Sequence, residues 1–205
     1  MDKGSLYKVL RDPSLVKDTK QSRKWMKDIA AGMYHIAEER LVHKDLAARN
    51  VLIASDMTAK ITDFGLSKLM DVTAGNNTYG GMLDLLPLRW SAPESLLDKV
   101  FNEKTDVYMY GCTCYEIITK MEPYQELAND EFIQRFLKFE LPPLTLPIQT
   151  PKNLKELVAS CLSSKETRPT FKEILFRLEE IENDIKTKGF ETEEFANGYS
   201  KINLV

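Results

Sequence analysis

His43-Lys44-Asp45-Leu46-Ala47-Ala48-Arg49-Asn50 puts a carboxylate, a guanidinium and a carboxamide in one short loop, and Asp63-Phe64-Gly65 adds a second carboxylate after two apolar runs. A carboxylate beside an incoming hydroxyl can accept its proton. A second carboxylate and an amide oxygen are hard donors of the kind magnesium takes. Reactions that depend mainly on positioning and charge neutralisation, phosphoryl transfer above all, are served by such a set. In such a set Asp45 would be the proton acceptor, and Asn50 and Asp63 the metal ligands. The competing structural reading takes Asp45 and Asn50 as turn formers and Asp63 as a solvated loop acid.

The surroundings supply a scaffold. Val51-Leu52-Ile53 and Ala59-Lys60-Ile61-Thr62 flank a polar turn at Ser55-Asp56, which predicts a β-hairpin with Asn50 and Asp63 together at its open end. Upstream, Leu6, Val9 and Leu10 predict a short helix ended by Asp12-Pro13-Ser14. Asp18-Thr19 then caps a longer helix to about Glu39, with Trp25, Ile29, Met33 and Ile36 at helical spacing. Downstream, the spacing predicts four more helices. The first is buried and runs from about Thr105 to Thr119; the second starts near Ala128-Asn129-Asp130 and ends at Leu141-Pro142-Pro143. The third carries Leu154, Leu157, Val158, Cys161 and Leu162, and the last carries Phe171, Ile174, Leu175, Leu178 and Ile181. Between hairpin and helices, Gly75, Asn76, Asn77, Gly80 and Gly81 predict a mobile loop. The expected class is mainly α with one small hairpin.

Composition narrows the function classes. The chain has 205 residues, 43% hydrophobic and 29% charged, with a net charge of −3 and no basic run, which argues against nucleic acid as a partner. No apolar stretch reaches membrane-spanning length, and Met1-Asp2-Lys3-Gly4 has no signal-peptide character. The three cysteines, Cys112, Cys114 and Cys161, have no zinc spacing and read as reduced thiols packed in helices, the usage of a cytoplasmic protein.

The octapeptide resembles the catalytic loop of protein kinases, Asp63-Phe64-Gly65 resembles their magnesium-binding motif, and Ala92-Pro93-Glu94 follows in the expected order. The resemblance covers residues 1–185 and implies the C-terminal lobe of that fold, with residues 186–205 as a flexible tail. It implies ATP and Mg2+ as cofactors and a protein as substrate. Asp45 becomes the catalytic base, Arg49 a stabiliser of charge near the phosphates, and Asn50 and Asp63 the magnesium ligands. Leu52 matches the position under the adenine ring, although core packing alone would also explain it. His43 and Phe64 are structural members of the two motifs. Asp106 looks like the aspartate that anchors the catalytic-loop backbone, and Arg168 of Arg168-Pro169-Thr170-Phe171 looks like the partner of Glu94. The activation segment would run from Asp63 to Glu94, with Tyr79 the leading candidate for regulatory phosphorylation and an ordinary exposed tyrosine the alternative.

Within the family, Ala47 and Arg49 after the catalytic aspartate, and Leu86-Pro87-Leu88-Arg89-Trp90, resemble the tyrosine-kinase or tyrosine-kinase-like branch. Tyrosine is therefore the favoured acceptor over serine or threonine. Lys44 stands where most relatives carry arginine; it keeps the charge but cannot grip a phosphate bidentately, which would weaken control through Tyr79. Tyr108 replaces a usual tryptophan. The largest departure is that no Gly-x-Gly-x-x-Gly and no Val-Ala-x-Lys precede the catalytic loop, so the N-terminal β-rich lobe is expected to be absent from this sequence. An apolar lobe face would then be covered by such a lobe or by a partner protein. A truncated, non-catalytic binding module, or a fragment begun at an internal methionine, is the competing expectation.

Overall fold

A computed structural model describes residues 2–16, 18–63 and 86–188. Phe64, Tyr79 and most of the expected activation segment lie outside the described residues, as do residues 189–205 of the expected tail. The fold is predominantly helical with one two-stranded hairpin, and no larger sheet is present among the described residues.

The chain opens on α1 (Leu6–Leu10), whose Leu6, Val9 and Leu10 are buried. Just before it, Gly4 at φ +79° turns residues 3–5 along the free edge of β1 (Val51–Ile53). There the Ile53 amide donates to the Gly4 carbonyl at 2.9 Å and the Lys3 amide to the Ile53 carbonyl at 3.3 Å. β2 (Ala59–Ile61) pairs antiparallel on the other edge, with Val51 opposite Ile61 and Ile53 opposite Ala59.

Helix α2 (Thr19–Glu38) begins where the sequence predicts, with the Asp18 carboxylate accepting from the Gln21 amide at 2.7 Å. Its buried face is Trp25, Met26, Ile29, Ala30, Met33 and Ile36. The same helix fixes the hairpin tip. The Met57 carbonyl, turned by a φ of +64°, accepts from the Trp25 indole at 2.9 Å, and Asp28 accepts from the Ala59 amide at 3.0 Å.

Helices α3 (Pro93–Asp98) and α4 (Glu103–Thr119) follow. α4 is buried on nearly every side and forms the axis of the molecule, which is why its apolar residues show little periodicity. Its start is a capping box: Asn102 accepts from the Lys104 and Thr105 amides, and Thr105 accepts from the Asn102 amide. Asn102→Ala is expected to lower stability by about 1 kcal/mol, read as a lower urea midpoint at unchanged slope. α4 and α6 (Lys152–Cys161) touch at Gly111, where a Cβ would lie 2.9 Å from Leu162 Cδ2 and 3.0 Å from Cys161 Cβ.

α5 (Asn129–Leu137) ends before the Leu141-Pro142-Pro143 stop that the sequence suggests. Phe139, in the left-handed region at φ +58°, breaks it first. α7 (Phe171–Lys188) packs back on α2, buries Phe171, Ile174, Leu178 and Ile181, and continues past residue 185, the expected end of the lobe. Tyr110 joins three helices, its hydroxyl donating to the Met26 carbonyl at 3.1 Å and its ring meeting Phe171 edge-on at 5.8 Å.

Candidate active site

The loop between α2 and β1 carries no glycine, yet Lys44 sits at φ +68°. A left-handed residue with a side chain costs on the order of 1 kcal/mol and persists only where its surroundings hold it. Asp106, on the first turn of α4, holds it: its two carboxylate oxygens accept from the His43 amide at 2.7 Å and the Lys44 amide at 2.9 Å. Burial nevertheless raises the Asp106 carboxyl to about 6, the two amides opposing the shift.

His43 is fully buried and stands at the centre of the site. Its Nδ1 accepts from the Asp45 amide at 3.2 Å, which leaves Nε2 as the donor to the Thr62 carbonyl at 3.0 Å. Burial pulls its pKa below the ordinary histidine value, while the Thr62 carbonyl and the charges of Asp45 and Asp63 push the other way. The ring is therefore a neutral brace between the catalytic loop and the hairpin. It ties together the two segments that carry the candidate acids.

Asp45 is held on both oxygens. Oδ1 accepts from Arg49 Nη2 and Oδ2 from Asn50 Nδ2 at 2.7 Å, and the same Asn50 nitrogen donates to the Asp45 carbonyl at 2.7 Å. With its nitrogen committed to two acceptors, Asn50 presents its amide oxygen away from Asp45, the atom a hard cation needs. A 3-10 turn over Ala48–Asn50, which the sequence reading missed, makes this possible. The Thr62 amide then bonds the Asn50 carbonyl at 2.9 Å, so the ladder runs one pair beyond β1 and β2, and Asp63 follows at once with an exposed side chain and φ +68°. The described residues hold no cluster of three or more acids, histidines or cysteines fit for a metal. A pair of oxygen donors, Asn50 and Asp63, suits magnesium, which keeps waters and takes the rest of its shell from phosphate oxygens.

The remaining candidates divide. Leu52 is half-buried on β1, bridged to Ser5. Lys44 places its ammonium 5.8 Å from the Phe101 ring centroid. Glu94 and Arg168 form a buried fork in which Nη1 reaches Oε1 and Nη2 donates to Oε2 at 3.1 Å. Arg168 also donates to the Ser163 and Lys104 carbonyls, and its guanidinium lies 4.9 Å from the centroid of the Tyr108 ring.

Two residues not singled out by the sequence reading complete the frame. Arg89 ties the Leu86–Trp90 segment to the Tyr124 and Leu127 carbonyls and to Asn129. Glu116 of α4 accepts on one oxygen from the Ala48 amide at 2.9 Å and the Trp90 indole at 2.8 Å. An acid inside an otherwise apolar helix was the available signal for Glu116.

Comparison with known proteins points to one family. A family model described as protein tyrosine and serine/threonine kinase matches residues 1–178. Similar proteins include ephrin type-B receptor 5 of Gallus gallus, 35% identical over 185 residues, which is 88% of this chain and 18% of the receptor. Ephrin type-B receptor 3 of Xenopus laevis is 34% identical over 160 residues, 76% of this chain and 16% of the receptor. Ephrin type-B receptor 1 of Gallus gallus is 34% identical over 185 residues, 88% of this chain and 18% of the receptor. The chain thus spans less than a fifth of the length of these relatives.

Proposed function

Because this chain belongs to the protein tyrosine and serine/threonine kinase family, we propose that it transfers the γ-phosphoryl group of Mg-ATP to a protein hydroxyl, tyrosine in preference to serine or threonine, in cytoplasmic signal transduction. The observation that carries this reading is the setting of Asp45, a carboxylate oriented by Arg49 and Asn50 on a loop that Asp106 anchors from below. Asp45 accepts the proton of the acceptor hydroxyl, and Arg49 beside it faces the charge that develops on the phosphoryl oxygens. Asn50 and Asp63 would hold magnesium, whose chemistry there is to neutralise the phosphate oxygens. Leu52 offers an apolar seat for the base of the nucleotide, and Tyr79 is the proposed regulatory site.

A non-catalytic binding module is the second reading. Calorimetric titration with Mg-ATP separates the two. Catalysis predicts saturable binding that Asp63→Ala removes, followed by transfer to a tyrosine peptide faster than to its serine counterpart. A chain with no heat of Mg-ATP binding is a docking lobe and not a stand-alone enzyme. Among the described residues no helix is long and apolar enough to cross a membrane.

A further inference from the structure

Glu116 is 2% exposed, and both of its hydrogen-bond donors, a backbone amide and an indole, are neutral. Burying a carboxylate this way is costly, and a glutamine could accept the same two bonds without that cost. What the charge adds concerns the cation that rests against Trp90. The Arg49 guanidinium stands 4.7 Å from the centroid of the Trp90 ring and pairs with the Asp45 carboxylate. One carboxylate oxygen is therefore common to the catalytic loop, through Ala48, and to the indole against which Arg49 rests.

We propose that Glu116 is a positioning residue for the Asp45 loop, an ionisable latch that in its charged form fixes Ala48 and Trp90 and, through the Trp90 ring, the Arg49–Asp45 pair. The proposal rests on the catalytic reading of Asp45 for its consequence in phosphoryl transfer, but the latch itself is a property of the lobe. The charged form strengthens both hydrogen bonds, since an ionised acceptor roughly doubles a neutral bond. It also attracts Arg49 toward the indole face.

The groups that act on Glu116 are Arg49 from the catalytic loop, Glu122 from the segment after α4, and the Cys112 thiol one turn earlier on α4. Glu122 opposes ionisation and Arg49 favours it. Cys112 is itself pushed well up by burial, so it stays neutral. Burial dominates and raises the Glu116 carboxyl to about 7. Its folded-state pKa lies above its unfolded value, so its contribution to stability is full in acid and lost as pH rises through about 7. Closing the latch thus costs stability in the pH range where the charge is present.

The two tryptophans of the chain give the test an internal control. Trp25 donates to the Met57 carbonyl, a group that does not titrate, whereas Trp90 donates to Glu116. In proton–nitrogen spectra of the 205-residue chain, one indole resonance is expected to titrate with a midpoint near 7 and the other to stay still. Trp90→Phe identifies the moving one by deleting it. Glu116→Gln, which keeps the shape and the hydrogen bonds, abolishes the movement and flattens the fall in thermal midpoint between about pH 4.5 and about pH 7. An indole that titrates unchanged in Glu116→Gln, or no titrating indole in the wild type, overturns the latch. Phosphoryl-transfer rates read the consequence separately. The wild type should lose activity below about pH 7 on a limb that Glu116→Gln lacks, and the same limb in both proteins overturns the positioning role. A wild type that transfers no phosphate counts against the catalytic reading, while the indole titration still decides the latch.

Discussion

Asp45→Ala is expected to slow phosphoryl transfer by about 10²–10⁴-fold, the usual loss on removing a general base. The fold should survive the change. Asn50 keeps its hydrogen bond to the Asp45 backbone carbonyl, and the loop keeps both Asp106 bonds. The affinity for Mg-ATP should also survive, because Asp45 spends its two oxygens on Arg49 and Asn50 and is not among the proposed metal ligands. Asp45→Asn is the harsher test of orientation. Both of its former acceptor atoms face N–H donors, so a carboxamide there must turn its own NH2 against one of them. The measurement is single-turnover transfer to a tyrosine peptide alongside a calorimetric Mg-ATP titration. An Asp45→Ala protein as fast as wild type removes Asp45 from the chemistry, whereas a slow protein that has also lost Mg-ATP binding shifts the role of Asp45 to the nucleotide.

Much of this arrangement could be read in the sequence because its signals are local. The Asp18 cap and the spacing of Trp25, Ile29, Met33 and Ile36 fix α2, and two apolar runs around a polar turn fix the hairpin. Asp106 and the Glu94–Arg168 pair were legible only through family resemblance, since nothing in the spacing of residues 43, 94, 106 and 168 says that they meet. α3 escaped because its six residues bury only Glu94 and Ser95, leaving no apolar stripe to detect. The 3-10 turn at Ala48–Asn50 escaped because it is stabilised from outside, by the Glu116 carboxylate on the Ala48 amide. Glu116 and Arg89 act across long sequence separations on backbone groups, which leave no side-chain signature at the other end. The acids and amides proposed for the chemistry were visible; Glu116 and Arg89, which hold the backbone around them, were not.

The second large effect is structural. Arg168→Ala or Glu94→Ala should each cost ~3–5 kcal/mol, because either change leaves a charge in the interior with its partner gone. The pair is nearly sealed, Arg168 at 3% exposure and Glu94 at 8%, so solvent cannot rescue the survivor. Arg168→Ala has further losses, since the Ser163 and Lys104 carbonyls lose their donor and the Tyr108 ring loses the cation above it. Against a typical total of about 5–15 kcal/mol, such a loss is a large fraction of the stability of the fold. The double variant Glu94→Gln with Arg168→Met should be less destabilised than the two single alanine changes added together, because no unpaired charge remains buried. Urea midpoints of the four proteins measure this directly. Additive losses would mean that the fork is worth no more than its packing.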